Sequence, residues 1–255
     1  MTAPRRRRPT ETEGTMQSVA RILTANPAVL RAGERAAEIP STGPGNELES
    51  ECPHCRDSGW RQVDLPGRAG MKQCECVAEK ARARYLAMIP ERFKGSTFES
   101  FKPRDPEQQR ALLLMRKDPG GSWFLTGAYG NGKTHLLYAQ YRELVSAGQV
   151  RCHVRTTREL VEELRRAEFD EDFVSPVIAA SSRCAPYHLF WDDIDKLKMT
   201  DFKTEVLFDL VDSLYRHKHG LTVTGNYSMR DLVEHERMHP AIVRRLDDMC
   251  RVVRI

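Results

Sequence analysis

Eight residues restrict this chain more than any others: Gly127-Ala128-Tyr129-Gly130-Asn131-Gly132-Lys133-Thr134. Their spacing, G-x-x-x-x-G-K-T, is that of a phosphate-binding loop. Glycines let the backbone turn until its N–H groups converge on one hollow. Those donors, with the N-terminus of the next helix, hold phosphate oxygens. Such a loop needs a buried strand before it and a helix after it. Residues 122–126 are short, apolar and β-prone. Residues 135–145 place Leu136, Leu137, Tyr141, Leu144 and Val145 at helical spacing. Lys133 is expected to reach the outer phosphates of a nucleotide, and the Thr134 hydroxyl to hold Mg2+. The loop and its flank, through His135, form the candidate nucleotide-binding set.

About 60 residues further on, His188-Leu189-Phe190-Trp191-Asp192-Asp193 reads as an apolar strand ending in two carboxylates. The first, Asp192, suits a Mg2+ ion shared with Thr134. The second, Asp193, suits the orientation of an attacking water. Asp reaches less far than Glu, so slow turnover is expected. Thr224-Gly225-Asn226 ends another strand. Strand C-termini line the ligand crevice of a parallel sheet, which makes Asn226 a candidate sensor between a terminal phosphate and that water. Phosphoryl transfer also needs positive charge on the phosphate oxygens, often from a neighbouring subunit. Arg245 is the candidate, with Arg244 beside it.

Seven cysteines are present, and four are grouped: Cys52-x-x-Cys55, then 18 residues, then Cys74-x-Cys76. Two close thiolate pairs brought together by a hairpin suit one tetrahedral Zn2+. Four sulfurs leave no open position, so the predicted role is structural. His54 is a possible substitute ligand. Cys152, Cys184 and Cys250 lie among apolar neighbours and are expected in the core.

The 255 residues are 40% hydrophobic and 30% charged, with a net charge of +4. Seven Arg against four Glu in residues 1–45 account for most of that excess. Residues 1–48 are expected to be a disordered basic tail, with a short amphipathic helix possible over 17–30. No apolar run approaches the roughly 18 residues of a membrane span, and no secretory signal is visible, so the expected location is the cytoplasm. From residue 122 onward strands and helices alternate. Strands are expected over 122–126, 150–155, 187–191, 221–224 and 251–255. That pattern predicts a three-layer α/β domain, a five-stranded mostly parallel sheet with helices on both faces. The expected organisation is a zinc module over 49–80, connecting helices over 81–121 and the nucleotide-binding core over 122–255.

Taken together, C-P-H-C-R-D-S-G-W…C-E-C, I-P-E-R-F…F-E-S-F, G-A-Y-G-N-G-K-T-H-L, F-W-D-D-I-D, T-G-N and V-R-R-L resemble the DnaC/DnaI/IstB group of AAA+ ATPases over residues 50–255. The group comprises replicative-helicase loaders and transposition helpers. The resemblance implies ATP hydrolysis, a phosphate-loop strand central in the sheet, and adenine held by the segment from Ile89 to Phe93. It implies that Arg245 acts in trans in an oligomer. It further implies a zinc module that contacts a hexameric replicative DNA helicase, and an ATP-bound state that grips single-stranded DNA. Phe169, Phe173, Arg183 and Tyr187 lie where loaders often carry DNA contacts. The sequence departs from the group at Arg244, where Asp is usual, and at Gly225, where Ser is commoner. An IstB-like transposition helper and a weakly hydrolysing, ATP-switched scaffold are the alternatives.

Overall fold

The computed structural model describes residues 51–65, 68–148, 151–182 and 186–255. The basic tail, its amphipathic stretch, Arg183 and Cys184 lie outside these residues. The amino-terminal module is an antiparallel hairpin, β1 (Trp60–Leu65) and β2 (Arg68–Gln73), followed by helix α1 (Glu75–Ala87). A 3-10 turn, Glu91–Phe93, leads to α2 (Pro106–Lys117), which the Asp105 side chain caps by accepting from Gln108 N at 2.9 Å.

The α/β body then runs β3 (Trp123–Thr126), α3 (Lys133–Ser146), β4 (Cys152–Thr156), α4 (Thr157–Phe169), α5 (Pro176–Ser181), β5 (His188–Asp192), α6 (Asp201–Arg216), β6 (Gly220–Gly225), α7 (Met229–Glu234), α8 (Pro240–Met249) and β7 (Arg251–Arg254). Its sheet has the order β4-β5-β6-β3-β7 and every pairing is parallel. The phosphate-loop strand β3 is interior, flanked by β6 and β7. The middle strand is β6, so the expected central place of β3 holds only as an interior one.

Both sheet faces are covered, which is why the strands read as continuous apolar runs. Alternation sends Phe124, Leu189, Trp191 and Val223 into one core with Leu160, Leu207, Leu210, Ile242 and Leu246, from α4, α6 and α8. Trp123 and Leu125 point the other way, onto Met115 of α2 and Leu136 of α3. Phe190 packs on the same helix through Leu137, Tyr138 and Tyr141. Cys152 and Cys250 are buried, as expected of small core residues. Helix starts follow the chemistry of their caps. Thr156 and Glu159 form a reciprocal capping box on α4, as do Ser228 and Asp231 on α7. Helix α5, six residues opened by Ser175 and Pro176, was not expected; it is too short to show a periodic stripe. Among the described residues no helix is long and apolar enough to cross a membrane.

Buried His188 and half-buried His153 make this core acid-sensitive. Burial pushes His188 down to about 3, and burial with the nearby Arg155 cation pushes His153 down to about 4. Above their ordinary value of 6.5 both are neutral in the folded and the unfolded chain. Below it the unfolded chain takes up protons that the fold refuses, so stability is lost as pH falls. Urea denaturation at pH 5 is expected to give roughly 2–4 kcal/mol less stability than at pH 7.5. His188→Gln is expected to remove about half of that drop; an unchanged pH slope would contradict this assignment.

Candidate nucleotide site and cysteine cluster

The loop between β3 and α3 is shaped by glycines that no other residue replaces cheaply. Gly127 has φ +150°, and a Cβ there would overlap the carbonyl oxygen of Ile255. Gly132 is the left-handed cap of α3 at φ +89°, and a Cβ there would lie 2.5 Å from the Phe101 ring. The loop is tied to the sheet on both sides. Thr126 Oγ1 donates to Tyr227 O at 2.9 Å, and Asn131 Nδ2 donates to Ile255 O at 3.0 Å. Lys133 is 7% exposed, and its Nζ donates to Gly127 O and Ala128 O, each at 2.8 Å. Burial lowers its pKa, against the opposing pull of Asp195, Asp193 and Asp192.

Two strands away, the acid pair meets this loop. Thr134 Oγ1 lies 3.1 and 3.3 Å from the two Asp192 oxygens and donates to them. Thr224 Oγ1, on the intervening β6, also donates to Asp192 Oδ1, and it accepts from Asp193 N at 2.9 Å. Burial, chiefly, with Asp193 adding repulsion, raises the Asp192 carboxyl above the usual range, although the Thr224 and Thr134 hydroxyls oppose the shift. Asp193 adopts φ +57°. Its carbonyl accepts from Thr157 Oγ1 at 2.8 Å, and that hydroxyl is fixed by Trp191 Nε1 at 2.9 Å. Asn226 is held by a residue that sequence reading left in an acidic loop. Asp195, 3% exposed, accepts from Asn226 Nδ2 at 2.9 and 3.2 Å and from Asn226 N at 3.1 Å. Thr224, Thr157 and Asp195 were therefore missed. Thr224 stood in the quoted T-G-N stretch, but nothing in the sequence says that its hydroxyl bridges two acids.

The adenine expectation is corrected for Ile89. Ile89 is 2% exposed among Leu137, Tyr138 and Tyr141, so it has no surface to offer a base. Phe93 is stacked on Tyr138 with ring centroids 4.8 Å apart. A cleft of about 420 Å3 instead opens beside the loop, lined by Phe101, Lys102, Arg104, Gln108, Asn131 and His135 among others. His135 Nε2 lies 3.1 Å from Ser100 Oγ and 3.0 Å from Thr97 O, which fastens this segment to α3.

Arg245 is engaged within its own chain. Its Nε and Nη2 donate to Asp212 Oδ1 at 3.1 and 3.0 Å, and its guanidinium lies 4.8 Å from the Tyr215 ring centroid. Arg244 is exposed on the same helix. Tyr187 is 1% exposed, which corrects its place among possible DNA contacts. Phe173 packs against the main core under the Arg166 guanidinium, while Phe169 is 72% exposed.

In the amino-terminal module the ligand atoms of Cys52, Cys55, Cys74 and Cys76 all lie within 4.8 Å of one another. Cys52 and Cys74 sulfurs are 3.7 Å apart, and those of Cys55 and Cys76 are 3.4 Å apart. A tetrahedral ion with sulfur at about 2.3 Å sets sulfur–sulfur edges of roughly 3.8 Å. The donor set and spacing therefore fit one such ion. Backbone N–H groups of Cys55 and His54 bring the Cys52 thiol down to about 6. His54 is exposed and outside the four-sulfur set.

A glycine loop, its lysine and threonine, and an acid pair two strands away define a P-loop ATPase of the AAA+ type. More particularly, the chain belongs to the AFG1-like ATPase family, whose model matches residues 67–255. It is 27% identical over 263 residues to the Bacillus subtilis (strain 168) uncharacterized protein YqaM, covering 80% of this chain and 82% of the relative. It is 24% identical over 241 residues to the phage-like element PBSX protein XkdC of the same strain, covering 87% of each. In fold it is similar to the crystal structure of the DnaC helicase loader, with a TM-score of 0.56 at 21% identity over 65% of this chain and 99% of that one. The DnaI crystal structure gives a TM-score of 0.54 at 18% identity over 68% and 96%. AMPPCP-bound DnaA from Aquifex aeolicus gives 0.54 at 17% identity over 66% and 51%.

Proposed function

We propose that the protein is an ATP-dependent loader: it binds a hexameric replicative DNA helicase, helps place it on single-stranded DNA, and releases it as ATP turns over. The convergence of Lys133, Thr134, Asp192, Asp193 and Asn226 on one crevice carries the ATPase part of this reading. The fold likeness to a helicase loader, with a four-cysteine module ahead of the core, supports the rest.

In this reading the loop N–H groups and Lys133 grip the phosphates, and Lys133 exchanges its loop carbonyls for phosphate oxygens. Thr134 and Asp192 hold Mg2+, which neutralises phosphate charge when bound. Asp193 orients a water whose oxygen bonds the γ-phosphorus as the bond to the bridging oxygen breaks. The bridging oxygen leaves with ADP, and the proton of the water passes through Asp193 to the phosphate product. Asn226, fixed by Asp195, reads the terminal phosphate in this scheme. The cleft beside the loop takes the base and ribose. A neighbouring subunit supplies Arg245, once released from Asp212, or the exposed Arg244. Residues 49–80 form the helicase-contacting module, residues 81–121 the connection and residues 122–255 the ATPase core, in a cytoplasmic setting.

The partner decides between loader and transposition helper. Pull-down with a replicative helicase hexamer in ATP is expected to retain the protein; co-purification with a transposase alone would reverse the assignment. Turnover no higher than that of Lys133→Ala, with and without single-stranded DNA, would favour the non-hydrolysing scaffold. The shorter Asp193 acid is the residue that keeps that second reading alive.

We further assign Zn2+ to the four-cysteine set, where it fastens the hairpin to α1. Freshly purified protein is expected to carry about one zinc per chain by plasma mass spectrometry. Cys52→Ser with Cys74→Ser is expected to lose the metal and melt the module, because folding and binding are coupled. Metal-free protein with an intact module would sink the assignment.

A further inference from the structure

Lys196 occupies a place that the ATPase reading has not used. Its Nζ lies 3.8 Å from Asp193 Oδ2 and 4.8 Å from the centroid of the Tyr129 ring. Tyr129 belongs to the phosphate loop and is 70% exposed, a high value for an aromatic side chain. One cation thus spans the gap between the loop and the second acid. The Asp193 backbone is pinned at both ends, by Thr224 at its N–H and Thr157 at its carbonyl. Its carboxylate has no such fixture: among the described residues its one ion pair is with Lys196, while Lys133 acts on it only through the electrostatic field. The turn that carries Lys196 is closed by Lys196 N donating to Asp193 O at 3.2 Å.

We propose that Lys196, seated on the face of Tyr129, is a positioning residue that holds the Asp193 carboxylate toward the phosphate loop for hydrolysis. The inference rests on the ATPase reading above. A short acid depends more on such a guide than Glu would, because it has one torsion fewer with which to find the water. The aromatic face supplies the second anchor: a lysine ammonium is attracted to the ring quadrupole, and the ring moves with the loop that grips the phosphates. Neither anchor lines the cleft assigned to the base, so the guide acts on turnover and not on nucleotide affinity. An isolated surface ion pair contributes little; the three-membered arrangement across the crevice is what gives the contact a function.

The test is steady-state ATPase kinetics on the full chain, with nucleotide affinity followed separately by a fluorescent ATP analogue. Lys196→Met is expected to lower kcat about fivefold, with KM and analogue affinity within about twofold. Lys196→Arg keeps the cation and is expected to restore most of kcat. Tyr129→Ala is expected to lower kcat about threefold, and the double variant to be no slower than Lys196→Met alone, because the two act as one unit. Lys198→Met, two residues away and exposed, is expected to match wild type. An unchanged or raised kcat in Lys196→Met, with wild-type turnover well above Lys133→Ala, overturns the positioning role and leaves the ATPase reading standing. Additive losses in the double variant overturn the link to Tyr129. Wild-type turnover equal to that of Lys133→Ala overturns the ATPase reading, and this inference with it.

Discussion

Asp192→Asn is expected to abolish ATP turnover and yet leave the protein more stable than wild type. Asp192 is 9% exposed at the end of β5, with Asp193 as its neighbour. Burial first, and that neighbour next among the raising influences, lift its carboxyl above the usual range. A raised carboxylate pKa means that the charged form costs stability, and the cost is present at every pH above the folded pKa. It disappears as pH falls through that value. An amide removes the charge and still accepts from one of the two threonine hydroxyls, which rotate to suit it. At pH 7 the substitution is expected to stabilise by about 1 kcal/mol, a rise in Tm of roughly 2–4 °C. Turnover is expected to fall at least about 100-fold, since in the proposed reading the full charge that would hold Mg2+ against the phosphates is gone. Calorimetry and phosphate release measure the two effects on one sample. A lower Tm would mean that Asp192 serves the fold, and preserved turnover would remove it from the site.

Gly127→Ala is expected to fail in the opposite way, by breaking structure and binding together. At φ +150° an L side chain is strained, and here the new methyl also meets the Ile255 carbonyl, a backbone atom that does not rotate away. That carbonyl is the acceptor for Asn131 Nδ2, and Ile255 N donates to Thr126 O at 2.8 Å. Making room for one methyl therefore separates β7 from β3 and unfastens the loop. A loss of roughly 2–3 kcal/mol, or about 5–10 °C in Tm, is expected, with nucleotide binding lost. Gly130→Ala is the comparator. Gly130 also has positive φ, at +78°, but nothing lies within 4 Å of its added Cβ. It is expected to cost only about 1 kcal/mol of backbone strain. Equal losses in the two variants would show that strain, and not overlap with β7, is the limiting term.

Much of this was legible from residue patterns. The five strands stood out because a doubly covered sheet writes its strands as apolar runs. The phosphate loop and the acid pair stood out because their spacing is short and local. Strand β5 nevertheless begins at His188 and not Tyr187, and β4 begins at Cys152, with Arg151 outside it. Hydrogen-bond registers set those ends, and propensity does not see them. Ile89 was misplaced for a related reason. An apolar residue ahead of a nucleotide loop suits a base contact and a core contact equally well. Only its packing against Leu137 and Tyr138 decides. Thr224 and Asp195 were illegible because their roles depend on strand order. Thr224 reaches Asp192 because β6 lies between β5 and β3, and no sequence period records that adjacency.

A single oxygen on β6 gears the two carboxylates together. The Thr224 hydroxyl has one hydrogen, and Asp192 takes it; a lone pair of the same oxygen holds the amide of Asp193. One oxygen thus joins the two acids. In the proposed reading, a cation that drew Asp192 toward itself would pull on the same hydroxyl that holds the Asp193 peptide.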